Sequence, residues 1–331
     1  MKKNVLKHYV GVSGLLLVGM AFIPQIGQAA DTDKQQTEQK KPAAQANGGG
    51  GLPREKSFPK ISSEKWTGER LADGQPDVSG FWSNTIGNHG NFTDPQGGII
   101  NDPNPNRIPK GARADRAPSR VSDSVDGQVP FQPWALEKVK EFQVKFHDPT
   151  TPNFVEPLAR CAPGGVPKSL YWHGYEIKQY PNYVVFFFDS GTRIIHLDDK
   201  AHLPSKIKLW NGDSRGHWEG NALVVDVNNH NGKALFGRSG EFISENGHIE
   251  EHYIFNKENT RYNYKAVFTD PTVYTKSFTV TIPARKWTIA DKPDGWNFDV
   301  WFAKDAAGKT TIEHEERICT ENNGGFGLGA V

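Results

Sequence analysis

Four ionisable residues stand at positions where strand alternation turns them toward apolar neighbours. In the segment from Thr192 to Leu197, Arg193 alternates with Ile195 and Leu197. From His248 to Phe255, Glu251 alternates with Ile249, Tyr253 and Phe255. From Ile312 to Ile318, His314 and Glu316 share a parity with the two isoleucines. Side chains two apart on a strand lie on one face, so Arg193, Glu251, His314 and Glu316 are expected to point inward. Charged groups on an inner face must be paired or hydrogen-bonded. A carboxyl group held there acquires a raised pKa and can work as an acid or base. On this reading Glu251 is the acid or base, His314 and Glu316 tune or share its proton, and Arg193 stabilises developing negative charge. His248 is a further catalytic candidate. Trp172, Tyr175, Tyr253 and Ser214 are candidates for holding a substrate. An interior ion-pair network with no ligand accounts for the same parity equally well.

Ser214 also lies in Gly212-Asp213-Ser214-Arg215-Gly216, which matches the G-x-S-x-G pattern of a nucleophile elbow. Asp226 and His248 follow in the hydrolase order Ser, Asp, His. An elbow requires a helix after its serine, whereas Gly216-His217-Trp218-Glu219-Gly220-Asn221 runs straight into the strand-like Leu223 to Val227. Gly220-Asn221 reads as a hairpin turn. A glycine-rich loop followed by a hairpin is therefore the stronger reading, and a serine hydrolase acting through Ser214 is the alternative.

His248 and His252 form H-x-x-x-H, with Glu250 between them. On a helix they would face each other. On a strand, positions four apart lie about 13 Å apart, too far to share a zinc ion. No metal site is assigned, although His173, His217 and His230 stand in loops from which a ligand can come. No cofactor is expected: the chain has no G-x-G-x-x-G after a strand, no P-loop and no C-x-x-C-H haem motif.

The elements that would position these groups are strands. Tyr183-Val184-Val185-Phe186-Phe187-Phe188 is apolar on both faces and reads as a central strand. Alternation recurs at Leu223 to Val227, Tyr262 to Phe268, Phe278 to Ile282, Trp296 to Phe302 and Ile312 to Ile318. About ten strands at intervals of roughly 10–15 residues, with no helices between them, exclude a doubly wound parallel sheet. They predict a mainly β fold: an antiparallel, lipocalin-like β-barrel, or a sandwich. One amphipathic helix is expected from Pro133 to Phe146, with Leu136, Val139, Phe142 and Phe146 on its apolar face. Residues 57–130 are rich in turns. They read as a long irregular N-terminal segment that wraps a core, containing one short strand at Val78-Ser79-Gly80-Phe81-Trp82.

Residues 1–30 carry Lys2, Lys3 and Lys7, then the apolar run Gly14 to Ile23, then Gly27-Gln28-Ala29-Ala30. This is the pattern of a secretory signal peptide, and it predicts a periplasmic or secreted protein without stable membrane insertion after cleavage. Loss of the three lysines takes the net charge from +1 to −2. That value gives no basic field for nucleic acid. Residues 31–56 are polar and glycine-rich and read as a disordered linker, leaving residues 57–331 as a single β-rich domain. The mature chain keeps two cysteines, Cys161 and Cys319, for which export predicts a disulfide. Of the 331 residues of the full chain, 9 are Trp, 19 Phe and 9 Tyr, against 2 Met. That supply can fill a barrel core or line a cavity for a small apolar or aromatic molecule.

Three stretches resemble a family of exported, mostly uncharacterised bacterial proteins. They are Asp73 to Trp82; Arg160-Cys161-Ala162-Pro163-Gly164-Gly165-Val166-Pro167; and Trp210 to Asp226, which is similar to W-x-G-x-S-x-G-x-W-E-G-D-T-L-V-V. Asn221-Ala222 stands where that pattern has D-T. His248, Glu251 and Cys319-Thr320-Glu321-Asn322 fit the same layout, and the resemblance spans about residues 70–330. It implies a single exported domain and carries no established activity. The expectation is an exported small-molecule enzyme of the hydrolase, lyase or isomerase type, working by acid–base chemistry. The alternative is a periplasmic ligand-binding protein without turnover.

Overall fold

A computed structural model describes residues 58–84, 91–95, 112–171, 174–188, 191–237, 239–287 and 302–312. The signal-peptide and linker expectations, and the candidates Trp172, His314, Glu316 and Cys319, lie outside the described residues.

Nine strands close into a barrel. In chain order they are β1 (Gly80–Asn84), β2 (Gly174–Tyr180), β3 (Tyr183–Phe188), β4 (Gly191–His196), β5 (Asp213–Glu219), β6 (Ala222–Asn228), β7 (His248–Phe255), β8 (Arg261–Thr269) and β9 (Phe278–Lys286). β1 pairs with β2 on one side and β9 on the other, which completes the circle. Every junction is antiparallel except β4–β5, which is parallel and rests on one residue pair, His196 with Arg215. The barrel is thus mixed rather than purely antiparallel. The physical cause is the connection across residues 197–212: it is long enough to return the chain to the same end before β5 begins, as a parallel neighbour requires. A two-stranded sheet of β10 (Phe302–Lys304) and β11 (Thr310–Ile312) follows.

The β5–β6 connection is the hairpin expected from Gly220-Asn221. Gly220 has φ +60°, and a Cβ there would stand 2.1 Å from the carbonyl oxygen of Glu64. Asn221 fixes the same contact. Its N–H donates to the Glu64 carbonyl at 2.9 Å, and its side-chain oxygen accepts from the Glu64 N–H at 2.7 Å.

The helix α1 (Pro133–Lys145) begins on proline, as expected. Its buried side is Ala135, Val139 and Phe142, continued by Phe146, while Leu136 is exposed. The spacing of 4, 3 and 4 places the small Ala135, not Leu136, on the stripe that meets the core.

Inward positions follow the strand period. Tyr175 and Ile177 of β2, Val184, Phe186 and Phe188 of β3, and Ile195 of β4 are buried. Val225, Glu251, Ala266 and Val280 face one another in register across four adjacent strands, forming one layer of the interior. Ala266 is the small member beside Glu251. Aromatic rings fill the layers around it: Tyr253 lies 5.1 Å from Phe186 and 5.0 Å from Tyr264, and Trp82 lies 5.1 Å from Tyr262 and 5.5 Å from Phe255.

Candidate functional site

The barrel interior brings Arg193 and Glu251 together. Arg193 comes from β4 and Glu251 from β7, and both are buried. The guanidinium donates from Nη1 to Oε1 at 3.1 Å and from Nη2 to Oε2 at 2.6 Å, a two-pronged pair. Nη1 also donates to the Tyr253 hydroxyl at 2.9 Å. Nε and Nη2 both donate to Ser214 Oγ, at 3.1 and 2.9 Å. All five guanidinium N–H groups are therefore engaged. The Tyr264 hydroxyl donates to Glu251 Oε1 at 2.7 Å. Beside this cluster the hydroxyls of Tyr175 and Tyr262 are hydrogen-bonded to each other.

Burial opposes the charge on Arg193. The Glu251 carboxylate, the neighbouring tyrosines and the hydrogen bond to Glu251 outweigh it, and the guanidinium pKa lies above its ordinary value. Burial pushes Tyr253, Tyr262 and Tyr264 well above the ordinary phenol range, with the Glu251 charge adding to the shift for Tyr253 and Tyr264. Each is a neutral hydroxyl. The cluster is charge-balanced, and its fixed charges sit in a shell of hydroxyl and aromatic groups.

His248 does not join it. Along β7 the inward parity belongs to Ile249, Glu251, Tyr253 and Phe255, and His248 has the opposite parity. Its Nε2 is bonded to Asp226 on the outer face, where His248 and Asp226 keep 36% and 45% of their side-chain exposure. His202 bonds Asp226 through Nε2 at 2.6 Å and Asp213 through Nδ1 at 2.8 Å. The Ser-Asp-His order thus puts the serine on one face of the wall and the other two residues on the opposite face. Period-two alternation forbids their meeting, and β5 continues as strand through Glu219 with no helix after Ser214. His252 pairs with Glu250, not with His248. Among the described residues no group of three or more His, Cys, Asp or Glu is placed to hold a metal ion.

Three further buried groups lie outside the predicted cluster, one of them His230, which the sequence places only in a loop. Tyr264 had a visible signal, since it shares parity with Tyr262, Ala266 and Phe268. His230, just past β6, is 5% exposed, and its Nε2 meets no partner. Burial, with Arg193 nearby, pushes its pKa down from 6.5 to about 4. Glu241 is buried in the β6–β7 connection. Burial pushes its carboxyl up from 4.5 to about 7, and backbone N–H groups of Glu241, Ser239 and Phe92 act in the opposite direction. A buried Lys168–Glu156 pair lies near it.

Of the two cysteines, Cys161 ends a short 3-10 turn (Pro157–Arg160) in a left-handed conformation at φ 55°. No family model, curated protein or solved structure matches the chain.

Proposed function

We propose that this chain is an exported, lipocalin-like barrel protein that binds a small apolar or aromatic molecule, with the Arg193–Glu251 cluster as the polar reference point of its interior. The supporting observation is the enclosure of a fully hydrogen-bonded ion pair inside an aromatic barrel. Well-packed apolar residues of similar volume generally stabilise an interior as much as a buried ion pair does, or more. A pair kept there is better explained by recognition or by fixing one arrangement of the interior. Small barrels of about eight strands are wide enough for packed side chains or one small ligand. Signal-peptide cleavage would place the protein in the periplasm or outside the cell, with the turn-rich segment of residues 57–130 wrapped on the barrel.

Binding is favoured over acid–base turnover because every N–H of Arg193 is engaged and both oxygens of Glu251 already accept hydrogen bonds. Arg193 has no N–H left to meet developing negative charge. Glu251 is held by the guanidinium on both oxygens and by the Tyr264 hydroxyl on Oε1. General acid–base work requires a group within hydrogen-bond reach of the reacting proton.

The test is thermal-shift screening of the full chain with small aromatic and apolar molecules, followed by calorimetry and chemical recovery of whatever binds. Recovery of the ligand unchanged supports the binding reading. Conversion of the ligand, lost in Glu251→Gln with the fold intact, replaces it with acid–base catalysis.

A further inference from the structure

At one end of the barrel, three buried polar groups retain hydrogen-bonding capacity that no protein partner uses. His230 is the first. Its ring is felt by the Val227 backbone, which raises its pKa, as expected when one ring N–H donates to that carbonyl. Nε2 is the nitrogen with no partner, so its lone pair is left without a hydrogen bond. Ser214 is the second. Its oxygen accepts two N–H groups from Arg193, which uses its acceptor capacity and leaves the hydroxyl proton free to be donated. Asn211 is the third, with a buried Oδ1 that has no partner.

These groups belong to two adjoining segments. The Leu209 N–H donates to the Asn229 carbonyl at 2.8 Å, and the Asn231 N–H donates to the Leu209 carbonyl at 3.0 Å. Gly212, two residues before Ser214, lies against His230: a Cβ at Gly212 would stand 2.9 Å from the ring's Cε1. Arg193 links the ensemble, since it holds Ser214 directly and its charge reaches His230.

We propose that Ser214 and His230 form a donor–acceptor subsite for a neutral hydroxyl group, the phenol or alcohol of an otherwise apolar ligand. One ligand O–H can donate to His230 Nε2 while its oxygen accepts from Ser214 Oγ. The ligand is uncharged because Arg193 and Glu251 already balance each other. A carboxylate or an ammonium entering beside them would be buried without a partner, at high cost. This subsite rests on the binding reading above and specifies the chemistry of its ligand.

The experiment compares para-cresol, anisole and toluene on the full chain by calorimetry, and follows the His230 ring nitrogens by nitrogen-15 NMR. Anisole can accept a hydrogen bond but not donate one; toluene does neither. The expected result is that para-cresol binds roughly tenfold or more tightly than the other two, the scale set by leaving a buried acceptor unpaired. It should also shift the His230 Nε2 resonance, which toluene leaves in place. Ser214→Ala and His230→Gln should each erase most of the preference. Equal affinities for the three probes, or binding of para-cresol with an unmoved Nε2 resonance, overturns the subsite while leaving the binding reading standing. Binding of none of the three by the folded chain overturns both.

Discussion

Arg193 of β4 places two N–H groups, at 3.1 and 2.9 Å, on the hydroxyl of Ser214 of β5, across the junction where the two strands share a single residue pair. The same guanidinium holds Glu251 and Tyr253 on β7. One side chain therefore ties together three strands around the barrel's thinnest seam. Loss of either charged member would leave an uncompensated charge buried at that seam.

Removing one member of the pair should cost far more than removing both. Arg193→Met strands the Glu251 carboxylate in the interior, and Glu251→Leu strands the guanidinium. Each is expected to lower the unfolding free energy by roughly 3–5 kcal/mol. The double variant Arg193→Met with Glu251→Leu should be more stable than either single variant, because no unpaired charge remains. Urea unfolding of the four proteins completes the cycle; additive losses would show that the pair is not coupled.

Much of this site could be read from alternation. Arg193, Glu251 and Tyr253 face inward because strand parity is fixed by chain geometry, and the same rule excludes His248. Parity does not say which strands close on which. The meeting of β4 with β7 depends on the register of β5 and β6 and on the long connection 197–212, and no local pattern encodes these. His230 and Glu241 escape for a related reason. They sit in connections between strands, where period two does not apply and burial is decided by tertiary packing.

Ser214 should not behave as a hydrolase nucleophile. Its hydroxyl is clamped by Arg193, while Asp226 and His248 occupy the other face of the wall. A fluorophosphonate probe is expected to leave Ser214 unlabelled. Asp226→Asn should change stability by no more than about 1 kcal/mol, as for partly exposed ion pairs. Peptide mapping after probe treatment decides the first point and urea unfolding the second.

Gly220→Ala should be among the more damaging turn substitutions. It combines φ +60° with a Cβ 2.1 Å from the Glu64 carbonyl oxygen, the atom that accepts the Asn221 N–H. The expected loss exceeds about 1 kcal/mol. Gly308→Ala, at φ +76° with open space around it, should cost less. Equal midpoints for the two variants in thermal unfolding would remove the Glu64 contact from the explanation.

His230 should make the fold acid-sensitive. Burial, then the charge of Arg193, lowers its pKa from 6.5 to about 4. Between these values the unfolded chain binds the proton more readily than the folded one, so stability rises with pH over that window and is lost as pH falls through it. The contribution approaches about 3 kcal/mol, being present in full above pH 6.5. His230→Gln has no such titration, and its urea midpoint should lose that part of the dependence on pH.

Glu241 acts with the opposite sign. Its pKa rises on folding from 4.5 to about 7, chiefly through burial. The folded state now holds the proton more tightly, so stability falls as pH rises from 4.5 to about 7 and is level on either side, again by about 3 kcal/mol. The two contributions oppose each other across most of the range from pH 4.5 to 6.5, and the unmodified protein should respond weakly there. Each single variant uncovers the other group. Glu241→Gln should show a stability that climbs with pH, and His230→Gln one that declines. Urea unfolding at half-unit intervals from pH 4 to 8 measures all three curves. Parallel curves for the two variants would mean that neither group carries the shift assigned to it.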